Sequence, residues 1–109
     1  MTSPALEILS DRITEAHTRI QKDFADINPV VSVSRKMRDL GIPADTMTVE
    51  CLKTKRRILI ILHDKQPGLV SYQFGMKDED PSDEFKGLSL NNLSVDLLYS
   101  WMAEYFSVK

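Results

Sequence analysis

The chain has 109 residues, of which 42% are hydrophobic and 28% charged, with a formal net charge of −2. That length is one domain's worth, 1–109, and it buries enough surface to fold without disulfides or metal staples. One cysteine, Cys51, excludes an internal disulfide and any multi-cysteine zinc site, and it fits a reducing compartment. No apolar stretch approaches the roughly 18 residues of a membrane span. The opening Met1-Thr2-Ser3-Pro4-Ala5-Leu6-Glu7 lacks the basic start of a signal peptide, so the cytoplasm is the expected location.

In chain order, Ser3-Pro4 reads as a cap followed by proline at the first helical position. Leu6, Leu9, Ile13, Ala16 and Ile20 follow at spacings of three and four, which predicts a first helix of about twenty residues. Asn28-Pro29 restarts a helical spacing through Val30, Val33, Met37 and Leu40, closed by Gly41 and Pro43. This predicts a second helix over 29–40. Val31-Ser32-Val33-Ser34 also alternates like a strand, and valine is a poor helix former, so strand is the rival for the first half.

From Thr46 the period is two: Met47, Val49 and Cys51 alternate with Thr46, Thr48 and Glu50. Residues 56–63 form a second strand, with five consecutive aliphatics, Ile58 to Leu62, between Arg56-Arg57 and His63-Asp64. After Pro67-Gly68, Val70, Tyr72, Phe74 and Met76 alternate again. An acidic stretch, 78–84, precedes a short edge strand within 85–90. Ser94 caps a final helix carrying Leu97, Leu98, Trp101, Met102, Tyr105 and Phe106. The order α-α-β-β-β-(β)-α with short connections predicts an α+β, two-layer sandwich: an antiparallel meander of three to four strands, two helices before it and one after.

Closing the first hairpin around Thr54-Lys55 sets Cys51 opposite Ile58, and closing the second around Gln66 sets Ile58 opposite Phe74. Both hairpins then gather Met47, Val49, Cys51, Ile58, Ile60, Leu62, Val70, Tyr72 and Phe74 on one face, where helices pack. The other face collects Leu52, Arg57, Leu59, Ile61, His63 and Leu69 among Thr, Glu, Ser and Gln. It needs either a covering helix, the second one, or a partner protein.

No catalytic, cofactor or nucleotide-binding motif is present: there is no G-x-G-x-x-G, G-x-x-x-x-G-K-[ST], G-x-S-x-G or C-x-x-C. Cys51 and His63 fall on opposite faces and far apart along the sheet, which removes a Cys-His nucleophile. His63-Asp64 and the acidic 78–84 stretch are the candidates for an enzyme or metal site, although 78–84 lacks EF-hand spacing. Lys53, Lys55, Arg56 and Arg57, with Arg35, Lys36 and Arg38, are the candidate nucleic-acid contacts, disfavoured by a sequence pI of about 5.6. The expectation is therefore a small non-catalytic protein-interaction module. It self-associates, or binds another protein, through Leu52, Arg57, Leu59, Ile61 and His63 or through the C-terminal aromatics Trp101 and Tyr105.

Overall fold

A computed structural model describes residues 4–24, 27–66, 68–76 and 85–106. The described chain runs α1 (Pro4–Asp23), β1 (Pro29–Ser34), α2 (Lys36–Asp39), β2 (Ala44–Cys51), β3 (Arg56–His63), β4 (Leu69–Met76), β5 (Lys86–Ser89), a 3-10 turn (Leu90–Asn92) and α3 (Val95–Phe106). The five strands make one antiparallel sheet in the order β1-β2-β3-β4-β5. The class is α+β as the sequence predicts, and α1 has the anticipated extent.

The second helix is the main correction. Residues 29–34 pair with β2 as a strand, and helix survives only as the single turn Lys36–Asp39. Val30, Val31 and Val33 are β-branched, and β2 offers them an apolar alternation to match: Val31 stands opposite Val49 and Val33 opposite Met47. Strand pairing therefore overrides a helical spacing built from poor helix formers.

The first hairpin is also closed differently. Cys51 faces Arg56 and Val49 faces Ile58, a shift of two residues from the expected register. The cause is a four-residue loop, 52–55, in which Lys55 adopts φ 61° and its N–H reaches the Cys51 carbonyl at 2.8 Å. A slip of two leaves every side chain on its own face, so the anticipated face assignment stands. The second hairpin has the expected register, Ile58 to Phe74 and Leu62 to Val70.

Both long helices pack on that face. Leu6, Leu9, Ile13, Ala16 and Ile20 of α1 and Leu98, Met102 and Phe106 of α3 join Met47, Val49, Cys51, Ile58, Ile60, Leu62 and Val70 in one buried core. Arg12 fastens α1 to the 3-10 turn through the carbonyls of Leu90 (2.6 Å) and Leu93 (3.1 Å). Arg19 meets Asp96 at 2.8 Å and lies over the Tyr99 ring, tying α1 to α3. Ser94 caps α3 through the Leu97 N–H at 3.1 Å.

Candidate functional site: the uncovered sheet face

The second face of the sheet is built from the residues left over by that packing. Across the strands, Ser32, Thr48, Leu59 and Gln73 form one row and Ser34, Thr46, Ile61 and Ser71 the next. Val30, Glu50, Arg57 and Gly75 make a third row, in which Glu50 and Arg57 are direct cross-strand neighbours. Leu59 and Ile61 are half-buried, and among the described residues neither long helix packs on this side.

The expected covering helix does not close it. α2 reaches only the start of β2: Ala44 is buried there, and the Thr46 hydroxyl bonds the Met37 sulfur at 3.7 Å. From that position Arg38 grips two carboxylates. Its Nε and Nη2 donate to Asp45 at 2.6 and 3.0 Å, and its Nη2 and Nη1 donate to Asp64 at 2.7 and 2.9 Å. Asp45 is 2% exposed, a buried charge met by a bidentate fork. The Arg38 guanidinium holds the Asp64 carboxyl below its ordinary range, first through those hydrogen bonds, and both carboxylates in turn raise Arg38.

The seven anticipated contact residues divide among three places. Arg57, Leu59, Ile61 and His63 lie on the uncovered face, while Leu52 stands beyond the end of β2 in the hairpin loop and is exposed. Trp101 and Tyr105 lie on the opposite side, in an aromatic cluster with Tyr72 and Phe74. Tyr72 and Trp101 are 4.7 Å apart between ring centroids, and Phe74 and Tyr105 5.0 Å. The Tyr105 hydroxyl donates to the Gly75 carbonyl at 2.8 Å. Arg56 lies over the Tyr105 ring and donates to that residue's carbonyl at the end of α3. Internal packing therefore employs these aromatics.

The other candidates are dispersed. His63 lies opposite Ala44, seven residues from Cys51 along β2, which at roughly 3.3 Å per residue is further than the sequence register implies. His63 Nδ1 accepts the Lys65 N–H at 3.2 Å, and both Asp64 oxygens serve Arg38, so the two do not form a His-Asp pair. No cluster of metal-ligating side chains occurs among the described residues, and the 78–84 stretch lies outside them. The basic run is divided by the pleat: Arg56 faces the aromatic cluster and Arg57 the uncovered face, with Lys53 and Lys55 in the loop. Arg35, Lys36 and Arg38 fall at the other end of the sheet, beside Thr46. No helix among the described residues is long and apolar enough to cross a membrane.

Sequence reasoning missed the role of His17, whose Nε2 sits 2.6 Å from the Pro29 carbonyl and pins the start of β1 to α1. It also missed β1 as a sheet edge. The Val31-Ser32-Val33-Ser34 alternation carries that signal. Comparison with family models, with curated proteins and with solved structures finds no match.

Proposed function

We propose that the chain is a small, non-catalytic protein-interaction module that self-associates through the uncovered sheet face. The supporting observation is the aliphatic pair Leu59 and Ile61 in the middle of a face that no described helix covers. The occupant is a second copy laid face to face about a two-fold axis. The face suits itself: among its described residues Glu50 and Arg57 stand directly opposite each other, so a copy turned onto it meets both signs of charge. A polar rim of threonine, serine and glutamine around an aliphatic centre also matches the layout of a protein contact.

Light scattering after size exclusion tests this. The wild type is expected at a mass above one chain, and Leu59→Glu or Ile61→Glu lowers that mass with an unchanged circular dichroism spectrum, because both side chains lie outside the core. A wild type that remains monomeric at high concentration overturns the proposal.

A further inference from the structure

Two strands end the sheet, and they differ in how they guard their edges. β5 is only four residues long and carries Lys86, a short strand and a lysine being usual devices against unwanted pairing. β1 is six residues long, PVVSVS, with no charge and no bulge. Its valines are exposed toward both sides of the sheet: Val30 is 44% exposed toward the uncovered face and Val33 47% exposed toward the helix side. Beside it runs a groove of about 510 Å³ walled by Ile13, Thr14 and His17 of α1 and floored by Val31, Val33 and Met47.

Pro29 fixes which backbone groups of β1 point outward. Opposed residues in an antiparallel pair alternate between hydrogen-bonded and non-hydrogen-bonded. Pro29 stands opposite Cys51, and the Asp64 N–H donating to the Pro43 carbonyl at 2.8 Å shows that odd-numbered residues of β2 bond toward β3, so theirs is a non-hydrogen-bonded pair. Its carbonyl therefore points away from β2, where His17 Nε2 meets it at 2.6 Å. By alternation Val30, Ser32 and Ser34 turn their backbone groups toward β2, and the N–H and C=O of Val31 and Val33 lie on the outer edge. Among the described residues no turn, loop or side-chain hydrogen bond reaches those four groups.

We infer that this edge receives β1 of a second copy, antiparallel about a two-fold axis at Ser32, extending the sheet to twice its width. The inference goes beyond face-to-face self-association and concerns a separate contact. The position of the axis follows from the free groups. With Ser32 facing Ser32, Val31 of each copy stands opposite Val33 of the other, and all eight outward groups pair in four hydrogen bonds. Moving the axis to Val31 would set Pro29, which has no N–H, against Val33. Moving it to Val33 would set Val31 against Arg35, where the backbone has left the extended region at φ −109°, ψ 16°.

Charge agrees with this register. β1 itself is neutral, and the basic Arg35 and Lys36 of the two copies lie at opposite ends of the new pair. Arg35 stands opposite Pro29, so the two Arg35 residues are six positions apart, roughly 20 Å at 3.3 Å per residue and beyond the screening length of about 8 Å. The end receiving Arg35 and Lys36 is where α1 terminates: Gln21 Nε2 bonds Asn28 Oδ1 at 3.2 Å, and Asp23 closes the helix. The carbonyl end of a helix favours those cations, while Asp23 itself accepts the Tyr99 hydroxyl at 2.7 Å.

Ser32→Cys in the full chain tests the axis. Under mild oxidation it is expected to form a covalent dimer reversed by dithiothreitol. The wild type, whose Cys51 is buried, does not, and Lys53→Cys in the exposed hairpin loop, a control for random collision, cross-links several-fold more slowly. Val33→Pro provides the second measurement. It removes an outward N–H while leaving the ladder to β2 intact, so the fold survives and the mass of the assembly falls by half. A Ser32→Cys protein that cross-links no faster than the Lys53→Cys control, or a folded Val33→Pro protein of unchanged mass, overturns the inference. A foreign strand as the occupant gives the first of these results. If Leu59→Glu yields a monomer while Ser32→Cys fails to cross-link, the face contact stands and the edge contact falls. If Ser32→Cys cross-links while Leu59→Glu leaves the mass unchanged, the reverse holds.

Discussion

Asp45 lies almost wholly inside the protein, where the Arg38 fork pairs with its carboxylate. Removing one partner of a buried pair strands the other, which costs far more than the pair itself contributes. Arg38→Met is therefore expected to lower the Tm by roughly 10 °C or more in a calorimeter. Adding Asp45→Leu to Arg38→Met removes the stranded charge and restores part of the loss. The exposed arm to Asp64 behaves differently. Its carboxyl is held below the ordinary range by Arg38, so the folded state binds its proton less readily than the unfolded chain. The contribution of this arm is complete above the unfolded aspartate value of about 3.9 and is lost as pH falls through the lower folded one. Urea midpoints of wild type and Asp64→Asn should differ at pH 6, and the gap should narrow as pH falls below about 3.9; a gap undiminished in acid refutes this assignment. In the β2–β3 loop, Lys55 holds a left-handed backbone at φ 61°. Lys55→Gly relieves about 1 kcal/mol of strain and should raise the urea midpoint, since Gly visits that region freely.

The elements were legible in the sequence in proportion to how local their causes are. α1 and α3 announce themselves by spacing and caps, and Ser94 makes the anticipated bond to the Leu97 N–H. Ser94→Ala should cost about 1 kcal/mol in chemical denaturation, with Ser94→Asp close to wild type. β3 and β4 are equally plain, because five aliphatics and a strict alternation have one economical arrangement. β1 was not, because Val30, Val33 and Met37 fit a helical spacing as well as Val31 and Val33 fit a strand. What decided between them was β2, whose Val49 and Met47 lie 18 and 14 residues further along the chain. The first hairpin register was hidden for a related reason: a left-handed lysine has no signature comparable to Asn-Gly. The uncovered face was legible residue by residue, since a slip of two preserves faces. The failure of the second helix to cover it was not, since that depended on 29–34 being strand.

At the scale of the molecule, a sheet with helices on one side leaves two apolar liabilities, the open face around Leu59 and Ile61 and the outer edge of β1. They are geometrically independent. The edge axis at Ser32 runs perpendicular to the sheet and sets two copies side by side with both open faces on the same side. The face axis lies in the plane of the sheet and stacks one pair on another. Two perpendicular axes that meet define a closed four-chain assembly, a common symmetry for soluble proteins. If both contacts form, sedimentation of the wild type gives the mass of four chains. Leu59→Glu then leaves two chains joined by β1, Val33→Pro leaves two chains joined by the faces, and the combined variant is a monomer. The pattern is diagnostic because the two substitutions lie in different strands, point in different directions and share no neighbour, so their effects should add. A single substitution that takes the assembly directly from four chains to one would show that the two contacts are a single interface, and would refute the independence of edge and face.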